Sequence, residues 1–206
     1  MDFDLSEEQS LIRDTARRIA GDRVAPLAAM LDRGEGREAF LENLKLLAEN
    51  GFMGLNVRAD YGGTEAGAVS FALSVEEIGA ACASTGVTLS VTNMVGEVIQ
   101  AIGSEEQRRA HLPKLCDGSY PAGAFCLTEA GAGSDPSAMT ARAERSGNGW
   151  VLNGSKLYIS SAEYAGVFIV WAVTDKAAPR GKGISCFLVP AGTPGMTTGR
   201  REDKMG

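Results

Sequence analysis

The sequence predicts an α+β fold, with an all-helical front part followed by a part built from strands. Two capping boxes and apolar residues at helical spacing account for the chain to about Cys116. After Asp117-Gly118 the signal changes, because short apolar runs bounded by Gly and Asn replace the capped helices. The division falls near residues 117 to 121 and predicts a helical domain over 1–118 and a β domain over 119–206.

The elements follow in order. Ser6 to Gln9 forms a capping box, and Leu11, Ile12, Ala16, Ile19 and Ala20 continue at helical spacing until Pro26. Phe40, Leu41, Leu44, Leu47 and Ala48 form a second apolar stripe, stopped by Asn50-Gly51, a pair suited to the left-handed residue after a helix. A loop from Asn56 to Gly67 carries Tyr61-Gly62-Gly63. Small residues from Val69 to Ala83 then permit close helix packing, with Val75, Ile78 and Gly79 on one side. The clearest helix has Val87, Val91, Met94, Val95, Val98 and Ile102 as its stripe and ends at Gly103. Ser104 to Gln107 is a second capping box, opening a short helix that Pro113 should disturb.

Strands are predicted at Ala124 to Leu127, Thr140 to Arg145, Trp150 to Leu152, Ser155 to Ser160, Val167 to Val173 and Ile184 to Val189. Gly147-Asn148-Gly149 and Asn153-Gly154 offer tight hairpin turns between them.

Composition narrows the function. With 206 residues, 44% of them hydrophobic, the chain can bury a sizeable core. The formal net charge is −6 and Lys and Arg form no block, which argues against a nucleic-acid partner. Met1 to Ser10 is acidic and polar, and no stretch has the length of a membrane span, so a soluble, unexported, cytoplasmic protein is expected. Cys82, Cys116, Cys126 and Cys186 are scattered without a CxxC pair and His111 is the only histidine, so no zinc-type ligand set is predicted; the thiols read as buried and reduced.

Chemistry concentrates in the segment Cys126 to Asp135, where a buried strand opens into a glycine-rich loop. Glycines let the backbone approach a ligand, and Thr128 and Ser134 add hydroxyl donors. Such a loop serves equally well as a plain connection between two elements. It is neither GxGxxG nor a Walker loop, so nucleotide folds of those types are not supported.

This segment resembles the signature of the acyl-CoA dehydrogenase family: a small residue, an aliphatic, Thr-Glu, two residues, Ala-Gly-Ser-Asp, two residues and a small residue, here Ala138. The resemblance continues in Leu5-Ser6-Glu7-Glu8-Gln9, in the Gly51 to Gly63 loop, in Ile102 to Gln107, in Tyr158-Ile159-Ser160 and in Lys204-Met205-Gly206. It implies a helical N-terminal domain and a β-barrel middle domain, incomplete at Gly206, with a helical C-terminal domain expected to follow and to carry the catalytic carboxylate. It implies FAD as cofactor, held by Phe125, Cys126, Leu127, Thr128, Gly133, Ser134, Tyr158, Ile159 and Ser160. Ser134, Gly181 and Lys182 are expected to border the substrate, an acyl-CoA or acyl-carrier-protein thioester, and Val95, Gly96 and Ile99 read as acyl pocket or as core. An electron-transfer flavoprotein is the expected electron acceptor, and the full-length form is expected to be a homo-oligomer.

Three positions depart from the family pattern. Ala130 stands where proline is usual, Tyr158 where tryptophan is common, and Ser160 where threonine is common. An aromatic face and a hydroxyl survive the last two changes. Glu129 and the Glu76-Glu77 pair match positions that are structural or solvent-facing in relatives, so no catalytic residue is assigned within the chain. The implied reaction is α,β-desaturation of an acyl thioester. A flavin oxidase or monooxygenase on the same scaffold, and a non-catalytic subunit that needs a partner chain, are the alternatives.

Overall fold

The computed structural model describes residues 4–204, and the chain divides into two compact units after Gly123. The predicted Lys204-Met205-Gly206 turn falls partly outside the described residues.

The first unit is helical. Helix α1, Glu7–Ile19, opens on the Ser6–Gln9 capping box, with Ser6 Oγ accepting from Gln9 N at 3.1 Å and Gln9 Oε1 accepting from Ser6 N at 3.0 Å. The helix does not run straight to Pro26. It widens into a π-turn at Ala20–Val24, tightens to a 3-10 turn at Ala25–Leu27, and resumes as α2, Ala28–Asp32. Pro26 sits at the start of the 3-10 turn, where its missing N–H leaves nothing unmet, so the chain turns without breaking.

Helix α3, Arg37–Glu49, buries Phe40, Leu44, Leu47 and Ala48 and gives way at Gly51, whose φ of 79° is the left-handed conformation expected there. Helix α4, Gly67–Ala81, packs on α5, Ala83–Ile102, through Gly79 and Gly86; a Cβ on Gly86 would lie 2.6 Å from the Gly79 Cα. Helix α6, Glu105–Cys116, starts at the second capping box. Contrary to expectation it runs through Pro113, since only one helical bond is lost and Leu112, Leu115 and Cys116 are all buried.

The stripe predicted for α5 is not the face that is buried. Val95 and Ile99 are in the core, but Val87, Met94 and Ile102 are exposed, while Thr85, Thr88, Thr92 and Asn93 are inside. Three of these are admitted by hydrogen bonds: Asn93 holds Leu55 N and Phe52 O, Thr88 bonds Ser84 O, and Thr92 Oγ1 accepts from Gly123 N at 3.2 Å, whereas Thr85 Oγ1 is buried without a partner among the described residues.

The second unit, Ala124–Glu202, is built on one mixed sheet. Its strands are β1 Gly123–Cys126, β2 Arg142–Ser146, β3 Gly149–Asn153, β4 Val167–Val173 and β5 Ile184–Pro190. The path is β1-β4-β2-β3, with β5 also on β4. β2 and β3 form an antiparallel hairpin across Gly147-Asn148, Gly147 supplying the positive φ of 57° at the first central position. β4 and β5 are antiparallel along their whole length, whereas β2 meets β4 in parallel at the single registered pair Arg142↔Val173.

Two expectations fail here. Asn153-Gly154 closes no hairpin, and Ser155 to Ser160 is not a strand. Tyr158 and Ser161 both take positive φ, 57° and 66°, which no continuous ladder tolerates, and the stretch is held from Thr128 instead. Ala124, Cys126, Ala165 and Phe168 form the core beneath, with Ile159, Val189 and Met196 against it. No helix among the described residues is long and apolar enough to cross a membrane.

Candidate functional site at the end of strand β1

Strand β1 leads directly into the glycine-rich segment. A tight turn forms at once, with Glu129 N donating to Ala132 O at 3.2 Å and Ala132 N to Glu129 O at 3.1 Å, so Ala130 closes the turn without the family's proline. Beyond it, Gly131 and Gly133 face open space: a Cβ on either would meet nothing within 4 Å. The glycines therefore answer no steric demand of this chain, and their backbone is left open to a ligand.

Glu129 is buried and its carboxylate is fully engaged. Oε2 accepts from Thr140 N at 2.6 Å and Thr140 Oγ1 at 2.8 Å, while Oε1 accepts from Ala141 N at 3.0 Å and Lys156 Nζ at 2.8 Å. Burial pushes the carboxyl upward, but the Lys156 ammonium and the Thr140 and Ala141 donors outweigh it and bring its pKa down to about 2. Glu129 is thus an anchor that stays ionised near neutrality and is unsuited to taking up a proton there.

The hydroxyls on either side behave differently. Thr128 is half-buried and Ser134 exposed, and neither side chain makes a hydrogen bond among the described residues. The Thr128 carbonyl accepts from Leu157 N at 2.8 Å and the Leu127 carbonyl from Lys156 Nζ at 3.0 Å. These two bonds bring the 156–157 stretch beside the end of β1. Tyr158 follows directly, with its side chain 73% exposed, then the half-buried Ile159 and Ser160. Cys126 is buried, its thiol pushed up to about 12 by desolvation, and the Phe125 ring lies 6.1 Å from that of Trp171. Ser161 Oγ and Trp171 Nε1 are buried without a partner among the described residues.

Gly181 belongs to a second cluster, around Asp135 and Ser137, whereas Lys182 does not line it. Asp135 caps a 3-10 turn at Pro136–Ala138 and accepts from the Ser137 amide and hydroxyl, which hold its carboxyl below the ordinary value with help from Arg180. Arg180 Nε donates to Ser137 Oγ at 2.9 Å and pairs with Asp135. Gly181 takes a φ of 77°, and an open cleft is lined there by Ser137, Asp175, Lys176, Arg180 and Gly181. Lys182 is exposed and forms no ion pair among the described residues.

Sequence reasoning missed Lys156 and the Asp135–Ser137–Arg180 cluster. The one signal for Lys156 was a cation amid residues read as a strand; nothing local paired it with Glu129, 27 residues away. Of the other carboxylates considered, Glu77 is paired with Arg17 at 2.6 Å and Glu76 is exposed. Among the described residues no group of three or more His, Cys, Asp or Glu side chains is arranged to hold a metal.

A capped helical unit is followed by a unit built on a mixed sheet, with a Thr-Glu loop at the end of its first strand. The acyl-CoA dehydrogenase N-terminal domain matches residues 6–119 and the acyl-CoA dehydrogenase middle domain matches residues 124–206; the chain belongs to the acyl-CoA dehydrogenase family. It is 40% identical over 203 residues to the short/branched chain specific acyl-CoA dehydrogenase of Rattus norvegicus, covering 98% of this chain and 46% of that protein. A chain in a structure of the electron transferring flavoprotein of Acidaminococcus fermentans superposes with a TM-score of 0.92 at 36% identity, covering 100% of this chain and 53% of that one. An acyl-CoA dehydrogenase from Bacillus anthracis complexed with FAD gives a TM-score of 0.88 at 33% identity, covering 98% and 34%. The chain thus spans about half the length, or less, of these relatives.

Proposed function

We propose that this chain supplies the flavin-holding side of an enzyme that desaturates an acyl thioester between its α and β carbons, with FAD as the cofactor. The observation that carries the reading is the contrast at the end of β1: the Thr128 hydroxyl has no partner within the described residues, while Glu129 beside it is saturated by Lys156, Thr140 and Ala141. The junction therefore presents a free donor on a fixed backbone. Open space over Gly131 and Gly133 and the exposed Tyr158 ring fit a large planar cofactor.

In this reading Phe125, Cys126, Leu127, Thr128, Gly133, Ser134, Tyr158, Ile159 and Ser160 would hold the FAD. Bound there, FAD supplies a two-electron hydride acceptor. The Thr128 hydroxyl would donate to the cofactor, where a fixed donor would stabilise developing negative charge. Gly181 and Lys182, with Ser134, border the thioester carrier, where the exposed Lys182 ammonium attracts phosphate groups. In this reading Glu129, Glu76 and Glu77 are not the proton-abstracting carboxylate, and that role is assigned to the helical C-terminal domain that the family resemblance implies. The relatives support an acyl-CoA substrate, and the Acidaminococcus structure supports an electron-transfer flavoprotein as partner.

The test is to denature the protein that carries this chain and identify the nucleotide released. FAD is expected; FMN, or no flavin after reconstitution, overturns the reading. Anaerobic mixing of the FAD-bound protein with short and branched acyl-CoAs should then bleach the flavin absorption.

A further inference from the structure

We infer that Lys156 is a positioning residue, fixing the Thr128 segment so that its hydroxyl and backbone meet the flavin edge. The inference rests on the reading of Thr128 as a flavin contact and goes beyond it, since neither the family signature nor the loop sequence contains Lys156.

The argument starts from the geometry. Lys156 is 9% exposed at its side chain and its partner Glu129 is 6% exposed, so the pair is cut off from water. One ammonium reaches two points on the same short stretch: the Leu127 carbonyl at 3.0 Å and the Glu129 carboxylate at 2.8 Å. Those two residues flank Thr128. The next residue along, Leu157, donates its amide to the Thr128 carbonyl at 2.8 Å. Residues 156 and 157 therefore grip Leu127, Thr128 and Glu129 in turn, one bond to each.

A stretch that leaves a strand and enters a glycine-rich loop has no ladder to hold it. Here the ladder is replaced by a side chain. Glu129 extends the grip to Thr140 and Ala141, which donate to its carboxylate, so the 140–141 and 156–157 segments, distant in sequence, both converge on the stretch from Leu127 to Glu129. A buried ion pair is a doubtful source of net stability, because desolvation offsets its attraction, but it does fix geometry when every lone pair and proton is met. That condition holds for the Glu129 carboxylate, which accepts four hydrogen bonds. A ligand donor misplaced by an ångström loses much of its value, so the grip on Thr128 sets flavin affinity as well as loop order.

The experiment uses the protein that carries this chain, stripped of flavin and reconstituted with FAD. Lys156→Met removes the ammonium and leaves Glu129 unpaired. The double variant Lys156→Met/Glu129→Gln removes both charges, relieving the buried unpaired carboxylate while the grip on Leu127 stays lost. Four quantities are read on each: the thermal midpoint of the apoprotein, the affinity for FAD, and the absorption spectrum and the potential of the bound flavin. Expected is a lower midpoint and at least a tenfold weaker FAD affinity for Lys156→Met, with the double variant regaining midpoint but not affinity, and with the bound spectrum shifted in both. If the double variant regains affinity, spectrum and potential together with midpoint, the pair is structural only and the inference is overturned. Should neither variant fold, Lys156→Arg keeps the charge but replaces the compact ammonium by a bulkier planar fork; wild-type FAD affinity in that variant overturns the inference, and a several-fold loss at an unchanged midpoint supports it. Wild-type protein that takes up no FAD overturns the flavin reading and this inference together, whereas normal uptake by wild type and variants alike overturns the role of Lys156 alone.

Discussion

Asn93 on α5 holds the backbone of the Phe52–Leu55 turn at both ends, its Nδ2 donating to Phe52 O at 2.8 Å and its Oδ1 accepting from Leu55 N at 2.8 Å. Asn93 is wholly buried. Asn93→Leu keeps the volume but leaves a buried carbonyl and a buried amide unmet, so the unfolding free energy should fall by about 2–4 kcal/mol. Urea unfolding of wild type and variant checks this, and an unchanged midpoint would show that the turn is held by other contacts.

The contact of α4 with α5 makes opposite predictions for its two glycines. Gly86→Ala places a Cβ 2.6 Å from backbone and should destabilise by about 1–3 kcal/mol, because neither helix axis can yield locally. Gly79→Ala meets nothing within 4 Å and lies inside a helix, so it should stabilise by about 0.5–1 kcal/mol. Thermal midpoints shifted in the same direction by both variants would contradict this packing.

Thr128→Val replaces a hydroxyl by a methyl of the same shape. No hydrogen bond among the described residues is lost, so folding stability should be unchanged, while FAD affinity should fall by about 1–3 kcal/mol through the unpaired cofactor atom. Titration of FAD into the two apoproteins, with a parallel melt, separates these effects. Equal affinities would remove Thr128 from the site.

Glu129 makes stability depend on acid in a defined window. Its folded pKa of about 2 lies below the ordinary 4.5, so the folded state binds its proton less readily than the unfolded chain does. The stabilisation is complete above about pH 4.5 and is lost as pH falls towards about 2. Glu129→Gln cannot titrate and should be less stable than wild type at pH 7, with the gap closing across that window. Parallel melting curves from pH 6 to 2.5, a constant gap throughout, would refute the assignment.

The parts of the fold legible in the sequence are those with local causes. Ser6 and Ser104 announce helix starts because a capping box needs only residues three apart, and Gly51 announces a helix end for a similar reason. Partnerships between distant residues were not legible. Asn93 and Thr92 lie outside the apolar stripe predicted for α5, yet both are buried, because their partners come from Phe52, Leu55 and Gly123. Ser155 to Ser160 read as a strand from composition, while the bond that shapes it comes from Thr128. The same holds at the site: Thr128 and Ser134 stood out through a recognisable pattern, whereas Lys156 matters only through the fold.

The seam between β2 and β4 gives the second unit an uneven mechanical character. Each of the two antiparallel ladders is registered along its length, but they are joined at Arg142↔Val173 and by Val173 N on Ala141 O at 2.8 Å. The β2–β3 and β4–β5 ladders therefore meet over a narrow weld, with β1 added on β4. Thr140 and Ala141, which grip Glu129, sit at the edge of that weld, so prying the β2–β3 hairpin outward slackens the hold on Glu129, and with it the ledge on which Thr128 stands.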